Sequence, residues 1–164
     1  NLANNDLLTN INNRRVFNSK LEHSILIHQR HNQSLNLLFL DIDNFKDIND
    51  KFGHAIGDKV LVRIASILRS NIRKSDLLAR WGGEEFVIAY LNSSFEDSLS
   101  TTEKLKSLIE NDYILKELNH SIITASFGLT TLKSDDNIDD LMNRADIAMY
   151  ESKNNGKNKI SIIN

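Results

Sequence analysis

The stretch Ser34–Asp43, SLNLLFLDID, is a nearly unbroken apolar run that ends in two acids. It reads as a buried central strand, around which the rest of the fold must be arranged. Alternation along an ideal strand turns Asp41 and Asp43 to the same face. Apolar residues lead directly into them, so at least one carboxylate stands at the edge of the core, where an unpaired charge is costly. A hard divalent cation held by oxygen ligands would relieve that cost. With no cysteine and no histidine pair nearby, the donor set favours magnesium or manganese over zinc. The plainer alternative is a strand end in which Asp43 caps the following turn.

Further along, RWGGEEFVIAY (80–90) sets two glycines and two carboxylates in the middle of a strand-like run. DLLARW and EFVIAYL flank the glycines as the arms of a hairpin. Gly82 and Gly83 permit positive φ and lack β-carbons, so a ligand can approach the backbone closely. Glu84 and Glu85 are unfavourable neighbours unless a cation or water stands between them, and they can complete a ligand set begun by Asp41.

The remaining elements follow from periodicity. Val16, Phe17, Leu21 and Ile25 predict a helix from about Arg14. Val60, Leu61, Ile64, Leu68 and Ile72 predict an amphipathic helix over 57–72. Residues 99–109 read as a helix and 121–132 as a strand. Ile138, Leu141, Met142, Ala145, Ala148 and Met149 mark a last helix, with Gly156 as its C-cap and KISII as a final short strand. The order implies a mostly antiparallel sheet flanked by helices, an α+β architecture expected in two layers.

The 164 residues suit one domain; 40% are apolar and 26% charged, and the formal charge is -2. No global basic field points to nucleic acid or to an anionic membrane. The absence of cysteine excludes disulfides, thiolate metal sites and a cysteine nucleophile. No apolar run is long enough to span a bilayer. A cytoplasmic location is expected, with no membrane contact by this domain itself.

Between strand and helix, NFKDINDKFGHAIGDKVL (44–61) carries Asn49, His54 and Asp58 among glycines. Asn49 and Asp58 offer the amide and carboxylate needed to read a purine edge. Guanine in particular presents two N–H donors that one carboxylate can accept together. Asp58 also falls in the first turn of the expected helix, where the helix dipole favours an acid on its own account. His54, alone between Gly53 and Ala55, suits packing or hydrogen bonding. Lys153 and Lys157, around the end of the last helix, could neutralise a triphosphate or simply serve the helix terminus.

Together these stretches resemble the GGDEF family of diguanylate cyclases in its GGEEF form. DLLTNINNRRVF (6–17) is similar to the family's N-terminal motif, 40–61 to its strand and nucleotide loop, and RWGGEEF (80–86) to its signature hairpin. TASFGLT (124–130) and 143–160 are similar to its closing strand, helix and strand. The resemblance implies a fold akin to nucleotide cyclases and the polymerase palm, with a ferredoxin-like core. It also implies condensation of two GTP into cyclic di-GMP with release of two pyrophosphates, across a homodimer of facing half-sites. By position, Asp41, the carbonyl of Ile42 and Glu84 would hold two magnesium ions per site, with manganese as a substitute. Asn49 and Asp58 would read guanine, and His54 lies in the same nucleotide loop. The backbone around Phe45 and Lys46 would cradle phosphates, Lys153 and Lys157 would contact the terminal ones, and Gly82 and Gly83 would admit the α-phosphate and ribose. Glu85 is assigned to positioning or deprotonation, and the resemblance does not separate its role from that of Glu84.

RKSD (73–76) matches the family's inhibitory RxxD motif, which implies product binding at Arg73 and Asp76. Two departures stand out: Asn10 replaces a glycine of the N-terminal motif, and Lys157 replaces an arginine. A silent domain that binds GTP or cyclic di-GMP is the competing expectation. A palm-like polymerase is disfavoured by the absence of a basic channel. The span 1–164 is expected to be a single domain and the output part of a larger protein.

Overall fold

A computed structural model describes residues 3–164; residues 1 and 2 of the expected 1–164 domain lie outside the described residues. The chain order is α1 (Arg14–Arg30), β1 (Leu35–Ile42), α2 (Phe45–Phe52), α3 (His54–Ser70), β2 (Leu77–Gly82) and β3 (Glu85–Leu91). It continues through α4 (Phe95–Glu110), α5 (Tyr113–Asn119), β4 (Ala125–Thr131), α6 (Ile138–Asn154) and β5 (Ile160–Ile162). The strands form one sheet in the order β2-β3-β1-β4-β5. β1 is antiparallel to both β3 and β4, while β5 joins β4 in parallel, so the sheet is mixed but mostly antiparallel as expected.

β1 is the middle strand, and its predominantly apolar sequence has a direct cause. Leu35, Leu37 and Phe39 pack with Phe17, Leu21 and Ile25 of α1 and with Leu141, Met142, Ala145 and Met149 of α6. Leu38, Leu40 and Ile42 pack against the opposite layer, with Val60, Leu61, Ile64 and Leu68 of α3 and Leu105 and Ile109 of α4. Helices therefore cover both faces of the sheet, in three layers rather than the two expected. Of its two polar residues, Asn36 and Asp41, Asn36 is buried and donates to Ser93 O and Ser98 Oγ while accepting from Thr131 Oγ1.

Several boundaries differ from the periodic reading. The helix expected from Gly57 begins at His54, and a separate α2 precedes it. Gly53 divides the two at φ +90°, a left-handed backbone that glycine adopts without a β-carbon clash. Asp58 consequently lies in the second turn of α3, so the dipole explanation for that acid lapses. The helix expected over 99–109 starts earlier, where Ser94 accepts from the Asp97 N–H as N-cap. The strand expected from 121 starts at Ala125, because its partner β1 ends at Ile42.

α6 lies unusually close to β4. A β-carbon on Gly128 would stand 2.1 Å from the Met149 nitrogen and 2.3 Å from the Ala145 oxygen, so only glycine permits the approach. Ser152 Oγ donates to the Phe127 carbonyl at 2.8 Å and fixes the helix along the strand. This seat brings the last turn of α6 to the acid-bearing end of β1.

Candidate active site

Asp41 and Asp43 turn to one face at the end of β1, as alternation requires. Lys153 from the last turn of α6 stands between them. Its Nζ is 2.9 Å from Asp41 Oδ1, 3.0 Å from Asp43 Oδ1 and 3.2 Å from the Ile42 carbonyl. Two carboxylates and one carbonyl thus converge on a single positive charge, an oxygen-only donor set of the kind hard divalent cations take. Among the described residues no three acidic or histidine side chains close on one point. A divalent ion here would therefore draw on the Ile42 carbonyl, substrate phosphate or water to fill its coordination.

The two aspartates differ sharply in environment. Asp43 is buried and accepts from Ser126 Oγ at 2.6 Å, Thr124 Oγ1 at 2.7 Å and the Asn158 N–H at 3.0 Å. Burial pushes its carboxyl up, but the hydroxyls and Lys153 outweigh it and hold the group below the usual carboxylate range. It does not cap the next helix. That position belongs to Asn44, left-handed at φ 57°, whose side chain makes no capping bond and instead accepts from Lys157 Nζ at 2.7 Å. The first turn of α2, Phe45 and Lys46 included, is thus uncapped by any side chain, leaving N–H groups available to an anion.

Asp41 is pushed up instead, first by burial and then by Glu84 and Asp43, against the opposing pull of Lys153. Burial is the main cause, and the hairpin adds to it through Glu84. Glu85 opens β3 directly across the ladder from Asp41, and burial together with Asp41, Asp146 and Glu84 raises its carboxyl too. Glu84 sits in the turn, where its carbonyl accepts the Ile42 N–H at 3.2 Å. Gly83 takes φ +47°, and neither Gly82 nor Gly83 has an atom near the β-carbon it lacks, so the turn is open to close approach. Glu85 also lines a cavity of about 680 Å³ with Arg14, Trp81 and Asp146.

Residues that periodicity did not single out hold the hairpin. Arg80 donates through Nε to the Gly83 carbonyl at 2.9 Å, and its Nη1 reaches both carboxylate oxygens of Asp6 at 3.2 and 3.3 Å. Asp6 in turn accepts from the Thr9 N–H and Oγ1. Asn10 holds φ +61°, so the left-handed turn survives the loss of glycine there.

Asp58 lines a second cavity, of about 380 Å³, with Leu8, Val62 and Arg63. Its chain neighbour Gly57 packs on Asn49, whose Oδ1 is buried without a hydrogen-bond partner. Phe45 is buried beside them, whereas Lys46 and His54 are exposed. Arg73 and Asp76 stand apart, at a third cavity of about 410 Å³ shared with Lys104 and Thr101. The Arg73 guanidinium pairs with Asp76 at 3.4 Å and with the Leu91 carbonyl, and the Asp76 carboxylate accepts the Arg73 and Leu91 N–H groups.

Among the described residues no helix is long and apolar enough to cross a membrane. A family model described as diguanylate cyclase, GGDEF domain, matches residues 3–159. Diguanylate cyclase A of Treponema denticola is 35% identical over 161 residues, covering 96% of this chain and 43% of its own length. Diguanylate cyclase DgcM of Escherichia coli is 37% identical over 158 residues, 96% of this chain and 38% of its own. The chain thus spans less than half of these curated relatives. The GGDEF domain of DgcB from Caulobacter crescentus, solved in complex with c-di-GMP, superposes with a TM-score of 0.90 at 30% identity, over 98% of this chain and 93% of that one. The active GGEEF domain of a diguanylate cyclase from Vibrio cholerae gives 0.86 at 33% identity, over 93% and 97%. With fold, hairpin and sequence in agreement over nearly its whole length, the chain belongs to the GGDEF family of diguanylate cyclase domains.

Proposed function

We propose that this domain condenses two GTP into cyclic di-GMP with release of two pyrophosphates, as one half of a homodimeric site. The observation that carries the reading is the convergence of Asp41, Asp43 and the Ile42 carbonyl on one cation, with Glu84 and Glu85 brought against it by the hairpin. Asp41, the Ile42 carbonyl and Glu84 would hold magnesium. That metal, when bound, lowers the pKa of the ribose 3′-hydroxyl and stabilises the leaving pyrophosphate. Asp58, with the unpartnered amide oxygen of Asn49, reads the guanine edge. The uncapped start of α2 and Lys157 bind phosphate oxygens, joined by Lys153. Gly82 and Gly83 let the α-phosphate and ribose lie against the hairpin backbone. Glu85, directly opposite Asp41 with its carboxyl raised, is suited to take the proton of the attacking hydroxyl.

One domain offers one guanine pocket, so the hydroxyl of each nucleotide attacks the phosphate held by a second copy facing it. The cavity at Arg73 and Asp76 supports a separate site for the product, with a guanidinium for phosphate or a guanine edge. The test is direct. Purified domain at high concentration is incubated with GTP and magnesium, and cyclic di-GMP is sought by chromatography, with Glu84→Ala as the blank. Product from the parent alone is expected. If neither the domain nor a coiled-coil fusion that dimerises it makes product while GTP still binds, the domain is a silent nucleotide receptor and the cyclase reading fails.

A further inference from the structure

The Lys153 ammonium has three N–H donors and three acceptors around it, Asp41 Oδ1, Asp43 Oδ1 and the Ile42 carbonyl, all within 3.2 Å. Its side chain is 18% exposed, so the pair is partly withdrawn from water. Its two carboxylate partners depend on it unequally. Asp43 keeps Ser126, Thr124 and the Asn158 N–H if the lysine leaves. Asp41 has Lys153 as its one cationic partner among the described residues, and it faces Glu85 across the ladder with Glu84 nearby. Lys153 also sits one helical turn from the loop in which Lys157 reaches Asn44 at the head of α2, the region assigned above to phosphates.

We propose that Lys153 is the resident counter-ion of Asp41 and that it yields this carboxylate only when a nucleoside triphosphate offers it phosphate oxygens in exchange. The lysine and a divalent cation compete for the same oxygens, and the nucleotide relieves that competition by attracting the lysine. Metal therefore enters the site with nucleotide rather than ahead of it, and by reciprocity each raises the affinity of the other. Lys153 acts here as a positioning residue that keeps Asp41 from holding a metal ion in the resting domain. The proposal rests on the reading of Asp41 as a metal ligand.

The test follows Mn²⁺ binding to the purified domain by electron paramagnetic resonance, without nucleotide and with 3′-deoxy-GTP, which has no hydroxyl to react. In the absence of nucleotide, K153M and K153Q are expected to bind Mn²⁺ at least tenfold more tightly than the parent, K153R no more tightly, and the double variant D41N/K153M to lose the gain. K153Q is one atom shorter than lysine but keeps an uncharged N–H donor for Asp43, so it reports even if K153M folds poorly. Equal nucleotide-free affinity in parent and both neutral variants overturns the proposal. In that case the metal reading survives if D41N abolishes the Mn²⁺ site of the parent formed with 3′-deoxy-GTP. If D41N leaves that site intact, Asp41 is not a ligand, and the metal reading and the proposal fall together.

Discussion

A β-carbon on Gly57 would lie 1.8 Å from Oδ1 of Asn49, so the amide occupies the space that glycine leaves open on α3. That oxygen is buried with no hydrogen-bond partner, a condition that costs about 1–3 kcal/mol unless a ligand donates to it. Gly57→Ala must therefore displace Asn49, while the added helix propensity, about 1 kcal/mol, offsets part of the strain. The expected result is a KM for GTP raised about tenfold, roughly one lost hydrogen bond, with kcat changed much less. Asn49→Ala should raise KM similarly, and the double variant should add little to either single one. An unchanged KM in Gly57→Ala would separate Asn49 from guanine recognition.

Asp41 and Asp43 look equivalent in the sequence, yet they should fail in opposite ways. Asp43 holds two hydroxyls, an amide and the Lys153 ammonium in a buried network, so Asp43→Ala should cost about 3–5 kcal/mol in urea unfolding. Asp41 faces Glu85 and is opposed by burial, so Asp41→Asn should stay within about 1 kcal/mol of the parent while ending product formation. Equal loss of stability in both variants would mean that Asp41 is a structural residue.

This contrast shows where the sequence is legible. The alternation of LDID correctly put both acids on one face, and the apolar run correctly named the central strand. The hairpin and the final helix were readable because their patterns run long enough to show a period. The division between α2 and α3 was hidden, since α2 is only eight residues long and its break from α3 rests on the positive φ of the single residue Gly53. α5 is seven residues long, too short for a period to emerge. The three-layer arrangement and the seat of Lys153 between the aspartates depend on where α6 docks. That docking turns on the missing β-carbon of Gly128 and is invisible in any local window.

Arg80 ties the hairpin turn to the N-terminal loop through Gly83 and Asp6. Arg80→Ala removes both contacts, and the turn that carries Glu84 should loosen. Faster amide hydrogen exchange at residues 83–85 is expected, with kcat reduced by about tenfold or more and stability lowered by only about 1–2 kcal/mol. Asp6→Asn, which leaves the Arg80 bond to Gly83 in place, should show a weaker form of both effects. Unaltered exchange in Arg80→Ala would show that the ladder to β1 alone holds the turn.

Asp112 offers a pH test away from the candidate site. It caps α5 by accepting the Leu115 N–H, and Arg63 grips it through Nε at 3.0 Å and Nη2 at 2.7 Å. That guanidinium holds its carboxyl below the usual carboxylate range. A carboxyl whose folded pKa lies beneath its unfolded value of about 3.9 adds stability above that value and loses it as pH falls through the folded pKa. Asp112→Asn keeps an oxygen for the cap but gives up the charge, so it should be about 1 kcal/mol less stable than the parent at neutral pH. The gap should narrow and close at acid pH, as the pH falls through the lowered folded pKa and the parent's carboxyl is protonated as well. Asp112→Ala should carry a further loss of about 1 kcal/mol at every pH, the cap itself. Urea midpoints measured from neutral to acid pH decide the matter: a parent-to-Asn gap that stays constant over the whole range would show that the Arg63 charge contributes nothing to the folded state.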